Sequence, residues 1–466
     1  MPLAHFNRLA IGCWFAVSGL LAQEPHTLVV VPRAGTSPVI SEADDPAIWV
    51  HPADPSKSLI IGTDKGIYPD GGLFAWNLDG TLQQRINISH PNNVDVRHGL
   101  QLGGRLIDLA AVSMSDHRQV RIFEIDSTSR TLSDCTTLDS TNVLRRMFKL
   151  PYGLALYQRR HDRALFVIVS SRHNESNERL WQIRLEDDGT GRVRGTLVRA
   201  FGEYRGIVEG LVADETWGFL YASEENTGIH KYYANPEQGD LRLALFGADD
   251  TLAANYEGLA LYRCSDSTGY LLVSRPGAGC IQVYRREGER GEPHRHRVVA
   301  TIRNAQSESG DGLEITSRPH GQAFPYGFLI WHNQAKRNFQ LYAWESVAQS
   351  WLTICAGETW TSVGQRSSET THNAAFAVLQ QNYPNPFNPS TAIDFVLKEA
   401  GPVQLTIYNI LGEEVRRLLQ ATLPPGKHVV HWDGRDNAGA PTRSGVYLCR
   451  LRTTGFLETR RMILSR

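Results

Sequence analysis

Glu209-Gly210-Leu211-Val212 and Glu257-Gly258-Leu259-Ala260-Leu261 are two copies of one short pattern, a polar side chain directly before a Gly- or Pro-led apolar stretch. Toward the N-terminus the pattern returns as Tyr152-Gly153-Leu154-Ala155-Leu156, His98-Gly99-Leu100-Gln101-Leu102 and Asp45-Pro46-Ala47-Ile48-Trp49. Toward the C-terminus it returns as Asp311-Gly312-Leu313-Glu314-Ile315. The copies recur about every fifty residues, the length of one four-stranded propeller blade. Apolar second strands follow them, such as Leu59-Ile60-Ile61-Gly62 and Leu165-Phe166-Val167-Ile168-Val169. Aromatic third strands follow in turn, such as Leu73-Phe74-Ala75-Trp76 and Ile281-Gln282-Val283-Tyr284, so the repeat is several strands deep. An all-β, six-bladed propeller is expected, with Val29-Val30-Val31 joining the last blade to close the circle.

If each copy opens the innermost strand of its blade, symmetry carries Asp45, His98, Tyr152, Glu209, Glu257 and Asp311 to one ring around the channel. The ends of the second strands supply a second ring at the same mouth: Lys65, Ser115, Arg172, Glu225 with Glu224 beside it, Arg275 and His332-Asn333. Clustered carboxylates raise one another's pKa and cost several kcal/mol unless cations fill the gap. An all-oxygen set of loose geometry suits Ca²⁺ better than Mg²⁺, which demands a strict octahedron. Carboxylate-held cations beside Lys and Arg heads are what a polyphosphorylated substrate requires: the metal activates water, the cationic side chains clamp phosphate oxygens, and no protein nucleophile is needed. The plainer reading is a polar channel that only orders water. Trp49, Trp76 and Trp344 are expected to be blade packing and Arg159-Arg160 a solvated loop. Arg97-His98-Gly99 resembles the histidine-phosphatase signature, but Leu100-Gln101-Leu102-Gly103 lacks the Arg and Pro that chemistry needs.

Across 466 residues, 48 basic and 49 acidic side chains nearly cancel, so no broad basic face argues for nucleic acid. Residues 1–22 carry His5 and Arg8, then an apolar run from Leu9 to Leu21 and Ala22 before a polar stretch. That reads as a secretory signal peptide; the run is shorter than the ~20 residues of a spanning helix, so the protein is expected not to be transmembrane. Five cysteines follow it, without zinc or redox spacing. Cys264 and Cys280 flank one strand and either pair or stay as two buried thiols. Residues 23–346 are assigned to the propeller, 347–378 to a Ser/Thr/Gly-bearing linker and 379–466 to a small Ig-like β-sandwich. Its alternating segments are Ile393/Phe395/Leu397, Val403/Leu405/Ile407, Val429/His431 and Val446/Leu448/Arg450.

Asp44-Asp45-Pro46-Ala47-Ile48-Trp49-Val50, Asn92 to Arg97, Tyr152-Gly153, Val198 to Phe201, Glu209-Gly210 through Glu224-Glu225, Glu257-Gly258-Leu259 and Gly269 to Leu272 form a collinear series over residues 41–346. On these segments the chain resembles the β-propeller phytases. The resemblance implies several calcium ions at one propeller mouth that bind phytate and activate water for phosphomonoester hydrolysis of 3-phytase type. It implies calcium ligation by Asp45, Glu209, Glu225, Glu257 and Asp311, and phosphate contact by Lys65 and Tyr152. Lys65, Tyr152, Arg172 and Glu209 are therefore assigned to catalysis, and Asp45, Glu209, Glu224, Glu225, Glu257 and Asp311 to the metal. Three positions depart from the family pattern. Met114-Ser115 replaces an Asn-Arg pair, removing one phosphate-binding Arg unless Arg118 reaches in. Arg172-His173 replaces Lys-Glu, turning a point charge into a fork, and Asn255 replaces an Asp. The segments Tyr383 to Ser390, Val403 to Gly412 and Ser444 to Tyr447 resemble a type A sorting domain of the type IX secretion system and FlgD-like immunoglobulin folds.

The expected protein is thus a secreted or surface-attached, monomeric, calcium-dependent phytase. Its partners are phytate or other phosphorylated small molecules and the type IX machinery. Two rivals stand beside it: a surface adhesion or binding propeller with structural calcium, and a calcium-dependent sugar lactonase, which would not use Lys65, Arg172 and Arg275.

Overall fold

Leu165–Ser171, the second strand of the third repeat, is buried along its whole length. Because alternate side chains leave opposite faces of a strand, it serves two cores at once. Leu165, Val167 and Val169 pack with Leu109, Ala111 and Ile122 of the preceding repeat. Phe166 and Ile168 pack with Leu220 and Ala222 of the following one. A sheet sandwiched between two like sheets has no solvent face, which is why these strands read as continuous apolar runs.

The computed structural model describes residues 25–147, 150–172, 178–247, 255–289, 291–306 and 310–355, together with 377–379, 382, 384–385, 387–397, 400–409, 413–453 and 456–465. The expected signal peptide, most of the linker, His173 and parts of the C-terminal motifs lie outside these residues. No described helix is long and apolar enough to cross a membrane. Contacts divide the chain into two units, 1–365 and 366–466.

The first unit is a propeller of six sheets whose strands follow one another outward from an inner strand. The inner strands are Ala43–Trp49, Pro91–Leu102, Pro151–Gln158, Val208–Asp214, Leu259–Arg263 and Leu313–Thr316. Closure differs from expectation. Residues His26–Val30 add a parallel fifth strand to blade 5 through Val298–Asn304. The outer strand of blade 6 is instead Ala34–Gly35, antiparallel to Asn338–Ala343. The chain thus lays its N-terminal segment across both of the last two blades. Cys264 also differs: it is bonded to Cys355 and not to Cys280, which is buried and forms no disulfide. The bridge ties the segment after the last blade to blade 5. Trp49, Trp76 and Trp344 are fully buried, as blade packing requires. Arg159 and Arg160 lie in a loop as expected; Arg160 is exposed, while Arg159 is half-buried and pairs with Asp162 and Glu237.

The second unit is a β-sandwich of a three-stranded and a four-stranded sheet. Ile393, Phe395 and Leu397 of one sheet meet Val403, Leu405 and Ile407 of the other. In two strands the opposite alternation faces the core: Val430 and Trp432 rather than Val429 and His431, and Tyr447, Cys449 and Leu451 rather than Val446, Leu448 and Arg450.

Candidate functional site at one mouth of the channel

Register identifies equivalent positions in the blades. Lys65, Ser115, Arg172 and Glu225 each donate a backbone N–H to the residue just before an inner strand: Glu42 O at 2.9 Å, His90 O at 3.3 Å, Leu150 O at 3.0 Å and Ile207 O at 3.0 Å. In the first four blades the inner strand then bulges, between Ala43 and Pro46, Pro91 and Val94, Pro151 and Leu154, and Val208 and Leu211. The first residue of the bulge is Asp44, Asn92, Tyr152 and Glu209, and Glu257 and Asp311 stand just before the corresponding glycine in the last two blades. These six residues form the ring.

Two expected members are thereby corrected. Asp45 occupies the position of Gly153, Gly210, Gly258 and Gly312, one residue further in; its carboxylate accepts from Val94 N at 3.0 Å inside the channel. His98 lies six residues past Asn92, where its Nδ1 contacts Asp108 Oδ2 at 2.9 Å. The glycine positions are tight. A Cβ on Gly210 would stand 2.0 Å from Glu257 O, and one on Gly312 would stand 2.2 Å from Asp44 O. Each of the first five blades is held against the next by a hydroxyl that the sequence does not announce. Thr63 Oγ1 donates to Asn92 O at 2.5 Å, Ser113 Oγ to Tyr152 O at 2.6 Å and Ser170 Oγ to Val208 O at 2.5 Å. Ser223 and Ser274 reach Glu257 O and Asp311 O in the same way. A Ser or Thr just before the end of the second strand was the available signal.

The second ring also shifts. Lys65 and Arg172 stand at the mouth, whereas Ser115 is buried and its hydroxyl donates to Pro151 O at 3.0 Å. Glu224 turns away from Glu225, since neighbours on a strand face opposite sides. Its carboxylate is committed to the backbone N–H groups of Arg205 and Gly206 and to His230 Nε2 at 2.9 Å. Arg275 is the equivalent of Glu224, not of Glu225, since Leu259 faces Val273 as Leu211 faces Ala222. It is fully buried, lies 3.9 Å over the Tyr256 ring and donates to Gln282 Oε1 at 2.8 Å. His332 and Asn333 are buried as well; His332 Nδ1 accepts from Asp311 N at 3.2 Å, and Asn333 Oδ1 accepts from Lys336 N at 2.9 Å.

What converges is an acidic bowl with one embedded cation. Lys65 Nζ is 2.7 Å from Asp44 Oδ1 and 3.4 Å from Glu209 Oε1, and lies 5.5 Å from the centre of the Tyr152 ring. Arg172 stands 5.5 Å from the same ring. Burial pushes Asp44 up to about 8, against the opposing charge of Lys65. Burial, then the hydrogen bond to Asp311 and the charges of Glu209, Asp311 and Glu225, push Glu257 up to about 10. Burial likewise raises Glu209 and Glu225. Lys65 moves the other way: burial would lower it, but Asp44 and Glu209 hold it above the usual lysine range. Asp44 Oδ2 and Glu257 Oε2 are buried without any partner.

Among the described residues no three His, Cys, Asp or Glu side chains are gathered tightly enough to hold a metal as they stand. The donor chemistry nevertheless fits a hard cation. It is all oxygen, it is over-supplied with negative charge, and it has two orphaned buried oxygens aimed at nothing.

The Phytase family matches residues 4–357 of this chain, and the FlgD Ig-like domain family matches residues 388–455. A 3-phytase of Bacillus subtilis (strain 168) is 31% identical over 354 residues, covering 72% of this chain and 88% of the relative. Among solved structures, PorZ, a surface component of the type-IX secretion system of Porphyromonas gingivalis, aligns with a TM-score of 0.36 and 12% identity over 91% of this chain and 51% of that one. That likeness is too slight to carry an argument.

Proposed function

Since the chain belongs to the phytase family, we propose that its carboxylate ring is the active site of a calcium-dependent phytase of 3-phytase type. The observation that carries this reading is the meeting of Asp44, Glu209, Glu257 and Asp311 with Lys65 at one channel mouth. Asp44, Glu209, Glu225, Glu257 and Asp311 would hold the cations. Bound calcium would neutralise substrate phosphates and lower the pKa of an attacking water.

The chain's own residues do the remainder. Lys65, pinned between two carboxylates above Tyr152, presents a fixed ammonium to a phosphate oxygen. Arg172, exposed at the rim, offers a fork that can bind two oxygens of one phosphate. Tyr152 buttresses both cations through its ring face. The blade-to-blade hydroxyl contacts fix the carbonyls of Asn92, Tyr152, Glu257 and Asp311 and so help set the spacing of the ring. Ser115, buried where the family pattern has an Arg, supplies no phosphate clamp itself and leaves that role on its side of the mouth to Arg118.

For location, we take residues 1–22 as an export signal and the C-terminal sandwich as the part handled by type IX machinery at the cell surface, the propeller acting as a monomer. The match of residues 388–455 to an Ig-like family supports a non-catalytic C-terminal unit.

The test is phosphate release from phytate by wild type and Lys65→Met, with calcium and with EGTA, in the full chain and in a chain ending before residue 379. Calcium-dependent release, lost in EGTA, lowered about tenfold or more by Lys65→Met and unchanged by truncation, is expected. A protein that binds calcium but releases no phosphate from phytate would leave the binding-propeller reading in place.

A further inference from the structure

All six inner strands run from the carboxylate ring to the opposite mouth of the channel, and that mouth carries a second charged cluster the proposed reaction does not use. A cavity of about 200 Å³ opens there, several times the ~30 Å³ share of one water. Its wall includes Arg97, Arg263, Arg318, Asp95, Glu215 and Glu314, with His98, Thr316 and Ser317 alongside.

Two of its three acids are already satisfied. Arg97 donates to Asp95 Oδ1 and Glu215 Oε1, both at 2.7 Å. Asp95 also accepts from Leu156 N at 2.8 Å, and Glu215 from Gln158 N at 3.3 Å. Glu314 is pushed up to about 7, first by burial and then by Asp95, so it carries only part of a charge near neutrality.

Two of the three cations are not satisfied in return. Arg263 donates to Ala213 O at 3.1 Å, and its buried Nε has no partner. The Arg318 guanidinium makes no hydrogen bond or ion pair among the described residues, although its backbone N–H donates to Thr316 Oγ1 at 3.1 Å. Burial, then the nearby charge of Arg263, hold Arg318 below the usual arginine range. Two under-partnered guanidiniums facing one cavity, with the Thr316 hydroxyl free to donate its own proton, want an anion with several oxygens.

We propose that Arg263 and Arg318 form a binding site for a phosphate-sized tetrahedral oxyanion at the channel mouth opposite the carboxylate ring. The site needs no metal, because the protein supplies both cations, and it stands apart from the proposed catalytic reading. Free orthophosphate and a phosphoryl group on a larger ester share this chemistry.

The experiment is isothermal titration of the full chain with sodium orthophosphate, and separately with phytate, in EGTA so that the acidic ring has no cation through which to hold phosphate. Saturable binding of one anion is expected. It should weaken about tenfold or more in Arg318→Met and in Arg263→Met, and persist in Lys65→Met and Glu209→Gln. Binding of orthophosphate identifies the free anion as ligand, and binding of phytate alone identifies the esterified group. Circular dichroism in phosphate-free buffer checks that the variants fold. Should Arg263→Met unfold, the half-buried Arg318 carries the test alone: Arg318→Lys should retain part of the affinity and Arg318→Glu none. Arg318→Met should leave calcium-dependent phosphate release unchanged, so failure of the active-site reading and of this site would be told apart. No saturable binding in wild type, or equal affinity in wild type and Arg318→Glu, would overturn the proposal.

Discussion

Glu209 and Asp214 sit on the same seven-residue strand, Val208–Asp214, and both are buried, yet they are opposite kinds of acid. Asp214 is gripped by Arg286, whose Nε and Nη2 reach its two oxygens at 2.6 and 2.7 Å. Burial would raise Asp214, but the hydrogen bonds and charge of Arg286 outweigh it and hold the acid below its usual range. Glu209 shares one lysine with Asp44 and stays raised. The first acid is part of the scaffold, since its ion pair is complete. The second is kept in an expensive, incompletely compensated state, which is where functional acids are found. Completeness of pairing, rather than burial or charge, separates the two.

The sharpest way to break this comparison is to neutralise each acid. Glu209→Gln keeps the shape but removes a charge meant for a cation. Turnover should fall about a hundredfold or more, because metal-borne stabilisation is worth several kcal/mol and each ~1.4 kcal/mol is tenfold. Calcium affinity should fall with it, while the melting temperature in EGTA should hold or rise. Asp214→Asn should do the reverse. Breaking a buried pair leaves Arg286 uncompensated and costs about 3–5 kcal/mol, read as a large drop in melting temperature, whereas calcium affinity of the surviving folded protein should be unchanged. Equal calcium affinity and turnover in wild type and Glu209→Gln would sink the metal-ring mechanism.

The same contrast predicts a pH dependence with two signs. Asp44 moves from 3.8 to about 8 on folding, and Glu257 from 4.5 to about 10. A carboxyl raised in the folded state holds its proton more tightly there, so its contribution is complete below about pH 4 and is lost as pH rises through the folded value. Metal-free protein should therefore melt at progressively lower temperature from about pH 5 to about pH 9. Asp214, lowered on folding, contributes above its unfolded value near 3.8 and loses that contribution only in acid. Calcium should abolish the alkaline loss by replacing the missing protons, and its stabilising effect should grow with pH. Scanning calorimetry with and without calcium checks this. A metal-free melting temperature that stays flat or climbs over that range would contradict the assignment of the ring as under-compensated.

How far the chain could be read follows from what each feature depends on. The six blades were legible because the repeat is local and strand burial on both faces is written into apolar runs. The ring was legible in chemistry but off by one residue in blade 1 and by six in blade 2. The repeat's local marker is a polar-Gly pair, and those two blades carry Asp45 and Asn93 where the later ones have glycine. Only the bulge after Ala43 and Pro91 restores the register. Glu224 and Arg275 were misplaced for a related reason: a strand's last residue and its neighbour face opposite ways, and counting residues does not say which is which. The Cys264–Cys355 bridge spans 91 residues and has no local signal at all. The closing strand was ambiguous because two short N-terminal segments serve two different blades.

The finest test of the comparison lies within one dipeptide. Glu224 and Glu225 are adjacent, and both were expected at the metal. Glu224 accepts from two backbone N–H groups and from His230 at 2.9 Å, and although burial opposes it, these bonds push it down to about 2. That is the signature of Asp214, a satisfied structural acid. Glu225 is raised by burial and then by Glu209, the signature of the ring. Glu225→Gln should therefore weaken calcium binding several-fold with little change in the metal-free melting temperature. Glu224→Gln should leave calcium affinity alone and destabilise by about 1–2 kcal/mol through its lost charge-assisted bonds. Both effects are smaller than those at Glu209 and Asp214, because Glu225 is only partly buried and Glu224 keeps an amide oxygen as acceptor. Calcium titration and thermal melts on the two variants decide it: if Glu224→Gln proved the calcium-weakening substitution, pairing within the fold would have failed as a guide to which acids serve the metal.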